Sequence, residues 1–335
     1  MAGGGGIRAF VYCGAARRDT GAASDTIKLF WHRTLRFWHP VHASGYARPM
    51  PTMITLKEHL LDIRRRLDQA GIDDARLVAE MLAAHALGCE RGDLLGRAGQ
   101  SLDGASAERL EGLVARRLKH EPLEYITGWR EFYGRRFICE PDALIPRPET
   151  EGIIDQCRKR LPADFAGPAI DLGTGAGSLA VTLALEFSRL TVVAADISLG
   201  ALRVARKNAV KHGVSQRLPL LCGDWLSALA ARPCFRLIVA NPPYVDSGYA
   251  PIMHPEVRDF EPHVALFGGA GGLVQIRRLL PQVARRLMPQ GLYMQEFAAG
   301  HGDEVLELAR QAGLTRCEVL PDFAGIERTL VASIN

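Results

Sequence analysis

Two hydrophobic rhythms run along the chain, and the change from one to the other divides it. Thr55 and Glu58 have the spacing of a capping box, and behind them Leu60, Ile63, Leu67 and Ala70 share one helical face. A second helix is predicted from about Asp74 to Leu87, carrying Leu77, Val78, Met81 and Leu82. A third, from about Ser106 to Lys119, places Leu110, Leu113, Val114 and Leu118 at helical spacing. Arg116, Arg117 and Lys119 complement the dipole at the third helix's C-terminus. The charges of this small helical domain read most simply as a solvated face, although such a module ahead of a catalytic domain also suits a grip on a macromolecule.

The helical period is lost over residues 121–148. Trp129, Phe132, Tyr133, Phe137 and Ile138 gather around Gly134 as in a β-hairpin, and the rigid Ile145-Pro146-Arg147-Pro148 follows. A helix resumes near Glu149. Beyond it, short apolar segments alternate with helical ones: Ala169–Leu172, Thr191–Ala195, Leu218–Cys222, Leu237–Ala240, Leu292–Phe297, Cys317–Leu320 and Thr329–Ala332. Strand-helix alternation of this kind predicts an α/β fold, a doubly wound, mostly parallel seven-stranded sheet covered on both faces. The expected organisation is a leader over residues 1–52, a helical substrate-binding domain over 53–120, a β-hairpin linker over 121–150 and a catalytic domain over 151–335.

Charge refines this picture. The net charge is +4, but residues 1–52 hold seven basic residues against Asp19 and Asp25, leaving 34 basic and 35 acidic residues in the remainder. A protein that neutralises many phosphates carries its basic excess on its folded part. No direct, stable nucleic-acid binding is therefore expected. The acid-poor leader, with Phe30, Trp31, Leu35, Phe37 and Trp38, resembles an organelle transit segment. An upstream start codon explains it equally well, because Met50 and Met53 stand just ahead of the first helix. No run approaches the roughly 20 uncharged apolar residues of a membrane span. The expected location is the cytoplasm, or the mitochondrion if the leader is a true transit segment. The seven cysteines lie far apart and contain no C-x-x-C, and His85, His254, His263 and His301 lack ligand spacing, so no metal is expected.

The chemistry lies at predicted strand ends. Asp171-Leu172-Gly173-Thr174-Gly175-Ala176-Gly177 follows the first strand of the sheet and opens a helix, where doubly wound folds bind ligands. Asp196, nineteen residues after Gly177, ends the next strand, where a carboxylate can accept from two ribose hydroxyls. A nucleoside-containing cofactor is implied. The dinucleotide fingerprint wants glycine or alanine where Ser178 stands, which argues against a nicotinamide oxidoreductase. The spacing matches instead the cofactor loop of class I methyltransferases, with Trp225 placed to line the adenine.

Asn241-Pro242-Pro243-Tyr244 directly follows the apolar Leu237–Ala240 segment and so shares the glycine loop's sheet edge. Methyl transfer from a sulfonium to a planar nitrogen needs the lone pair aimed at the methyl carbon, so positioning carries most of the rate. The Asn241 side-chain oxygen and the Pro242 carbonyl can both accept from an NH₂ group, consecutive prolines stiffen the turn, and Tyr244 can stack on the substrate. Asn241, Pro242 and Tyr244 are the candidate catalytic residues, and Asn241 through Tyr244 the substrate contacts. The plainer reading, a diproline turn with an inward aromatic, does not explain the company of the glycine loop and Asp196.

Together with Gly128-Trp129-Arg130-Glu131-Phe132, Leu144-Ile145-Pro146-Arg147-Pro148-Glu149-Thr150-Glu151 and Val257-Arg258-Asp259-Phe260-Glu261-Pro262, these motifs resemble the glutamine N5-methyltransferases of the HemK/PrmC group over about residues 55–333. The resemblance implies a class I methyltransferase fold and S-adenosylmethionine held by Gly173, Thr174, Gly175, Ala176, Gly177, Asp196, Trp225 and Asn241. It also implies methylation of the glutamine in the Gly-Gly-Gln loop of peptide-chain release factors, gripped by the helical domain. Arg147 and Glu151 are candidates for organising a lid. The chain departs from the group at Gln295-Glu296-Phe297-Ala298-Ala299-Gly300, where a glycine more often closely follows the glutamate. The Asn-Pro-Pro-Tyr motif alone is shared with adenine-N6 and guanine-N2 methyltransferases, and a glutamine methyltransferase acting on a ribosomal protein is the nearer alternative.

Overall fold

A computed structural model describes residues 54–335. The leader expected over residues 1–52 lies outside them. The first helix starts where its cap directs: Thr55 Oγ1 accepts from the Glu58 amide, and the Glu58 carboxylate accepts from the Thr55 amide, opening α1 (Leu56–Gln69). α2 (Ala75–Leu87) buries a face that is mostly alanine, Ala75, Val78, Ala79, Leu82, Ala83 and Ala86. Leu77 lies one position off that stripe and is 40% exposed. After the short α3 (Leu94–Arg97), α4 (Gly104–Arg117) begins two residues ahead of the expected Ser106, because the Asp103 carboxylate accepts the Ser106 amide at 2.8 Å. Ile63, Leu67, Leu82, Leu110 and Val114 close this core.

The stretch expected as a hairpin opens instead with a helical turn, α5 (Leu123–Thr127), started by Pro122 and stopped by Gly128. Only then do β1 (Trp129–Phe132) and β2 (Arg135–Ile138) pair antiparallel. Tyr133 and Gly134 make the two-residue turn at φ 51° and 69°. Glu151, at the start of α6 (Glu151–Arg160), accepts the Tyr133 amide at 2.8 Å, so it anchors the hairpin turn.

The sheet then follows in chain order as β3 (Gly167–Leu172), α7 (Ser178–Glu186), β4 (Leu190–Asp196), α8 (Leu199–Lys211), β5 (Leu220–Cys222), β6 (Phe235–Ala240), β7 (Val245–Asp246), α9 (Pro255–Phe260), α10 (His263–Leu266), β8 (Phe267–Gly269), α11 (Val274–Ala284), β9 (Leu287–Glu296), α12 (Gly302–Gln311), β10 (Arg316–Pro321) and β11 (Glu327–Ser333). Its order is β10-β11-β9-β6-β3-β4-β5, with β11 antiparallel to both neighbours. Successive residues of β6 feed opposite cores: Leu237 and Val239 pack with Leu183 and Val192, while Ile238 and Ala240 pack with Ile276 and Leu279. Strand order reverses beside β3, which leaves a crevice at the carboxyl ends of β3, β4 and β6. Among the described residues no helix is long and apolar enough to cross a membrane.

Arg117 departs from its expected part in a solvated face. It is buried, donating to the Glu121 carbonyl at 2.9 Å and pairing with Glu256 of α9. The helical region is thereby tied to the segment that follows β7.

The turn after β6 is clamped by backbone. β7 pairs with β8, and the glycines around β8 lie directly on residues 243–244. A Cβ at Gly272, whose φ is +71°, would stand 2.2 Å from the Tyr244 carbonyl oxygen, and one at Gly268 would stand 2.6 Å from that of Pro243. Gly272→Ala should therefore cost about 2 kcal/mol or more of stability, read as a lowered denaturant midpoint. An unchanged midpoint would show that the clamp is dispensable.

Candidate active site

The glycine loop turns tightly because the Gly173 and Thr174 amides both donate to the Ala195 carbonyl at 2.9 Å, and Gly173, Gly175 and Gly177 take positive φ. The loop reaches across to the neighbouring strand end: the Gly175 amide donates to Asp196 Oδ2 at 2.9 Å, and the Ser198 amide donates to Oδ1 at 2.8 Å. Each carboxylate oxygen keeps a further lone pair for a ligand hydroxyl. Burial raises the Asp196 pKa, while its backbone hydrogen bonds from Ser198 and Gly175 oppose the rise.

Above this edge lies a cleft of about 840 Å³ of empty space counted out to its mouth, lined by Gly173, Gly175, Asp196, Trp225, Asn241 and Pro243. Residues 142–144 of the linker form one wall, and Pro262, Val264 and Ala265 another. Trp225 is held at φ 52°, a left-handed conformation that a tryptophan adopts only under constraint. Its indole N–H donates to Gln275 Oε1 at 3.3 Å, and Arg278 pairs with Asp224 at 2.5 Å. Both partners come from α11 and also line the cleft. A smaller cavity continues from it, sharing Gly173, Gly175 and Asn241 and adding Thr174, Ala176, Arg147, Thr150 and Asp171. Gly177 lines neither. It lies behind the loop, where a Cβ would stand 3.1 Å from Ala205 of α8.

Of the tetrapeptide, Asn241 and Pro243 line the cleft. Pro242 is buried, and Tyr244 is half-buried with its hydroxyl donating to Glu296 Oε1 at 2.7 Å. Asn241 Nδ2 donates to Thr150 Oγ1 at 2.9 Å, and Thr150 donates in turn to Glu296 Oε2 at 2.6 Å. Glu296 is 1% exposed. Burial pushes its pKa up, while the Thr150 and Tyr244 hydroxyls pull it down. The role of Thr150 escaped the sequence, and Glu296 drew notice there only for the loop after it. The available signal was an acid closing a strand with no other charged residue, a place where ionisable residues need a partner. Arg147 pairs at 2.5 Å with the buried Glu261, whose other oxygen accepts the Ile145 amide at 3.2 Å. This joins the linker wall of the cleft to the segment after α9.

Residues 58–128 match the family model described as the PrmC N-terminal domain, and residues 157–253 match that of the methyltransferase small domain. The release factor glutamine methyltransferase of Koribacter versatilis is 40% identical over 278 residues, which is 83% of this chain and 98% of that protein. The protein of the same name from Nitratidesulfovibrio vulgaris is 38% identical over 285 residues, 84% and 96% of the two chains. Among solved structures, the catalytic domain of hMettl16 in complex with MAT2A 3′UTR hairpin 6 aligns with a TM-score of 0.51 at 16% identity, covering 65% of this chain and 81% of that one. That likeness concerns the fold alone.

Asp171, beneath the glycine loop, accepts from the Thr174 hydroxyl at 2.6 Å and the Ala180 amide at 3.2 Å through Oδ2, whereas its buried Oδ1 has no partner among the described residues. Burial, with a smaller contribution from the Asp196 charge, pushes its pKa up to about 7. The folded protein thus holds this proton more tightly than the unfolded chain. The stability that follows is full below about pH 4 and is lost as pH rises through about 7. Asp171→Asn, which cannot ionise, should lose less stability than the parent between about pH 5 and about pH 8. Parallel pH profiles of thermal unfolding would contradict this.

Proposed function

The chain belongs to the release factor glutamine methyltransferase family, and from that premise we propose that it methylates N5 of the glutamine in the Gly-Gly-Gln loop of peptide-chain release factors, with Asn241–Tyr244 holding that amide. It is an enzyme, and its cofactor is S-adenosylmethionine. The donor set of the cleft fits this cofactor. Asp196 has acceptors for ribose hydroxyls, the Trp225 ring is a flat wall for adenine, and Gly173 brings the loop backbone close to that ring, a Cβ there standing in van der Waals contact at 3.5 Å. When bound, the cofactor supplies an electrophilic methyl group on a sulfonium.

The protein's own task is to make a poor nucleophile reactive. An amide nitrogen delocalises its lone pair into its carbonyl, so it must be held with that pair aimed outward. Asn241 Oδ1 and the Pro242 carbonyl accept the two N–H bonds and fix the rotation of the NH₂ group. Two consecutive prolines stiffen the turn that carries these acceptors, and the Tyr244 ring, fastened through its hydroxyl, shields the amide from water. One observation carries the reading: Asn241 stands where both cavities meet, its amide nitrogen is committed to Thr150, and its oxygen has no donor among the described residues. The helical region is the proposed grip on the release factor. Release factors work on ribosomes, so the place of action is the cytoplasm, or the mitochondrion if residues 1–52 are a transit segment.

Incubating a purified release factor with enzyme and S-adenosylmethionine should add one methyl group to the glutamine of its Gly-Gly-Gln loop, seen by mass spectrometry of the peptide; a methyl elsewhere, or none, would refute the assignment. Asn241→Ala should lower turnover by about 100-fold or more while cofactor affinity stays within about threefold. Normal turnover in that variant would remove Asn241 from its role. Asp196→Ala should weaken cofactor binding by about tenfold or more, the loss of charge-assisted hydrogen bonds to the ribose. An unchanged dissociation constant in calorimetry would take Asp196 out of the site.

A further inference from the structure

The two ends of an asparagine side chain are nearly equal in size, so packing alone does not decide which of them faces a ligand. For Asn241 the choice matters. Its oxygen can accept from a substrate amide, whereas its NH₂ would set donor against donor. We infer that Glu296 makes this choice: its carboxylate, acting through the Thr150 hydroxyl, turns the Asn241 amide so that the oxygen faces the substrate. The inference rests on the proposed role of Asn241 and makes Glu296 a positioning residue for the same reaction.

The number of hydrogens available decides the orientation. An ionised carboxylate only accepts. Glu296 Oε2, 2.6 Å from Thr150 Oγ1, claims the single hydroxyl hydrogen, and Oε1 claims that of Tyr244 at 2.7 Å. Thr150 Oγ1 is left able only to accept, and the group 2.9 Å away must then be the NH₂ of Asn241. The relay therefore has one direction, from Asn241 through Thr150 to Glu296. It spans three elements, the turn after β6, the entry to α6 and the carboxyl end of β9. A glutamine at position 296 could point its own NH₂ at Thr150, free the hydroxyl hydrogen, and let either end of Asn241 face the cleft. A carboxylate held in the interior by two hydroxyls, with no ion pair among the described residues, is costly to keep unless its charge has a use.

Three variants test the relay. Glu296→Gln and Thr150→Val should each lower kcat on a release factor about 100-fold with the release-factor KM and the cofactor Kd within about threefold. Thr150→Ser, which keeps the hydroxyl, should restore kcat to within about threefold of the parent. The double variant Glu296→Gln/Thr150→Val should be no slower than either single one, because one relay is broken only once. A parental kcat in Glu296→Gln, a Thr150→Ser as slow as Thr150→Val, or losses that multiply would overturn the inference. A second measurement is independent of the substrate. The Asn241 side-chain NH₂ signals, assigned by their absence in Asn241→Asp, should exchange slowly with solvent in the parent and markedly faster in Glu296→Gln or Thr150→Val. Unaltered exchange in both sinks the relay whatever the enzyme methylates, whereas faster exchange beside a parent that leaves release factors unmodified supports the relay and discards the substrate.

Discussion

Four parallel strands that end in register make this site. The ladder sets Ala195, Leu172, Ala240 and Gln295 side by side across β4, β3, β6 and β9. One residue further along each strand the row reads Asp196, Gly173, Asn241 and Glu296. Up to that row the strands are mostly apolar and covered on both faces, as a parallel sheet requires, with Asp171 and Gln295 the buried polar exceptions. At the row Asp196, Gly173 and Asn241 line the cleft, whereas Glu296 stays buried and is held by the Thr150 and Tyr244 hydroxyls. A one-residue slip of β9 would carry Glu296 away from Thr150 and Tyr244.

The same edge concentrates negative charge in a poorly solvated place. Asp171, Asp196 and Glu296 all have their pKa values raised by burial, and each is held by amide or hydroxyl donors, with no arginine ion pair among the described residues. Neutral donors of this kind hold a carboxylate in place without cancelling its charge, as an arginine partner would. Arginines serve at the periphery instead: Arg147 with Glu261 joins two walls of the cleft, and Arg117 with Glu256 joins the helical region to α9. Removing the more exposed member of either pair, Arg147 or Glu256, would leave a buried charge without its ion-pair partner.

Much of this was legible in the sequence because it is written locally. A capping box, a glycine loop and a diproline turn each depend on residues within a few positions of one another, so the N-terminus of α1, the loop at Gly173–Gly177 and the turn at Asn241 could be read directly. What escaped is what meets across the fold. Thr150 and Glu296 are 146 residues apart, and Trp225 and Gln275 are 50 apart, so neither pair leaves a local pattern. α5, five residues long, is too short to show a period, and it passed for the start of the hairpin. Arg117 read as solvated because its partner Glu256 lies far downstream.

The central claim is geometric, and one measurement meets it directly: a crystal structure of the protein with S-adenosylhomocysteine and a peptide containing Gly-Gly-Gln. The account predicts the glutamine side-chain nitrogen about 3 Å from both Asn241 Oδ1 and the Pro242 carbonyl oxygen, with Asn241 Nδ2 still on Thr150. A glutamine bound elsewhere in the cleft, or an Asn241 whose nitrogen faces the peptide, would contradict it.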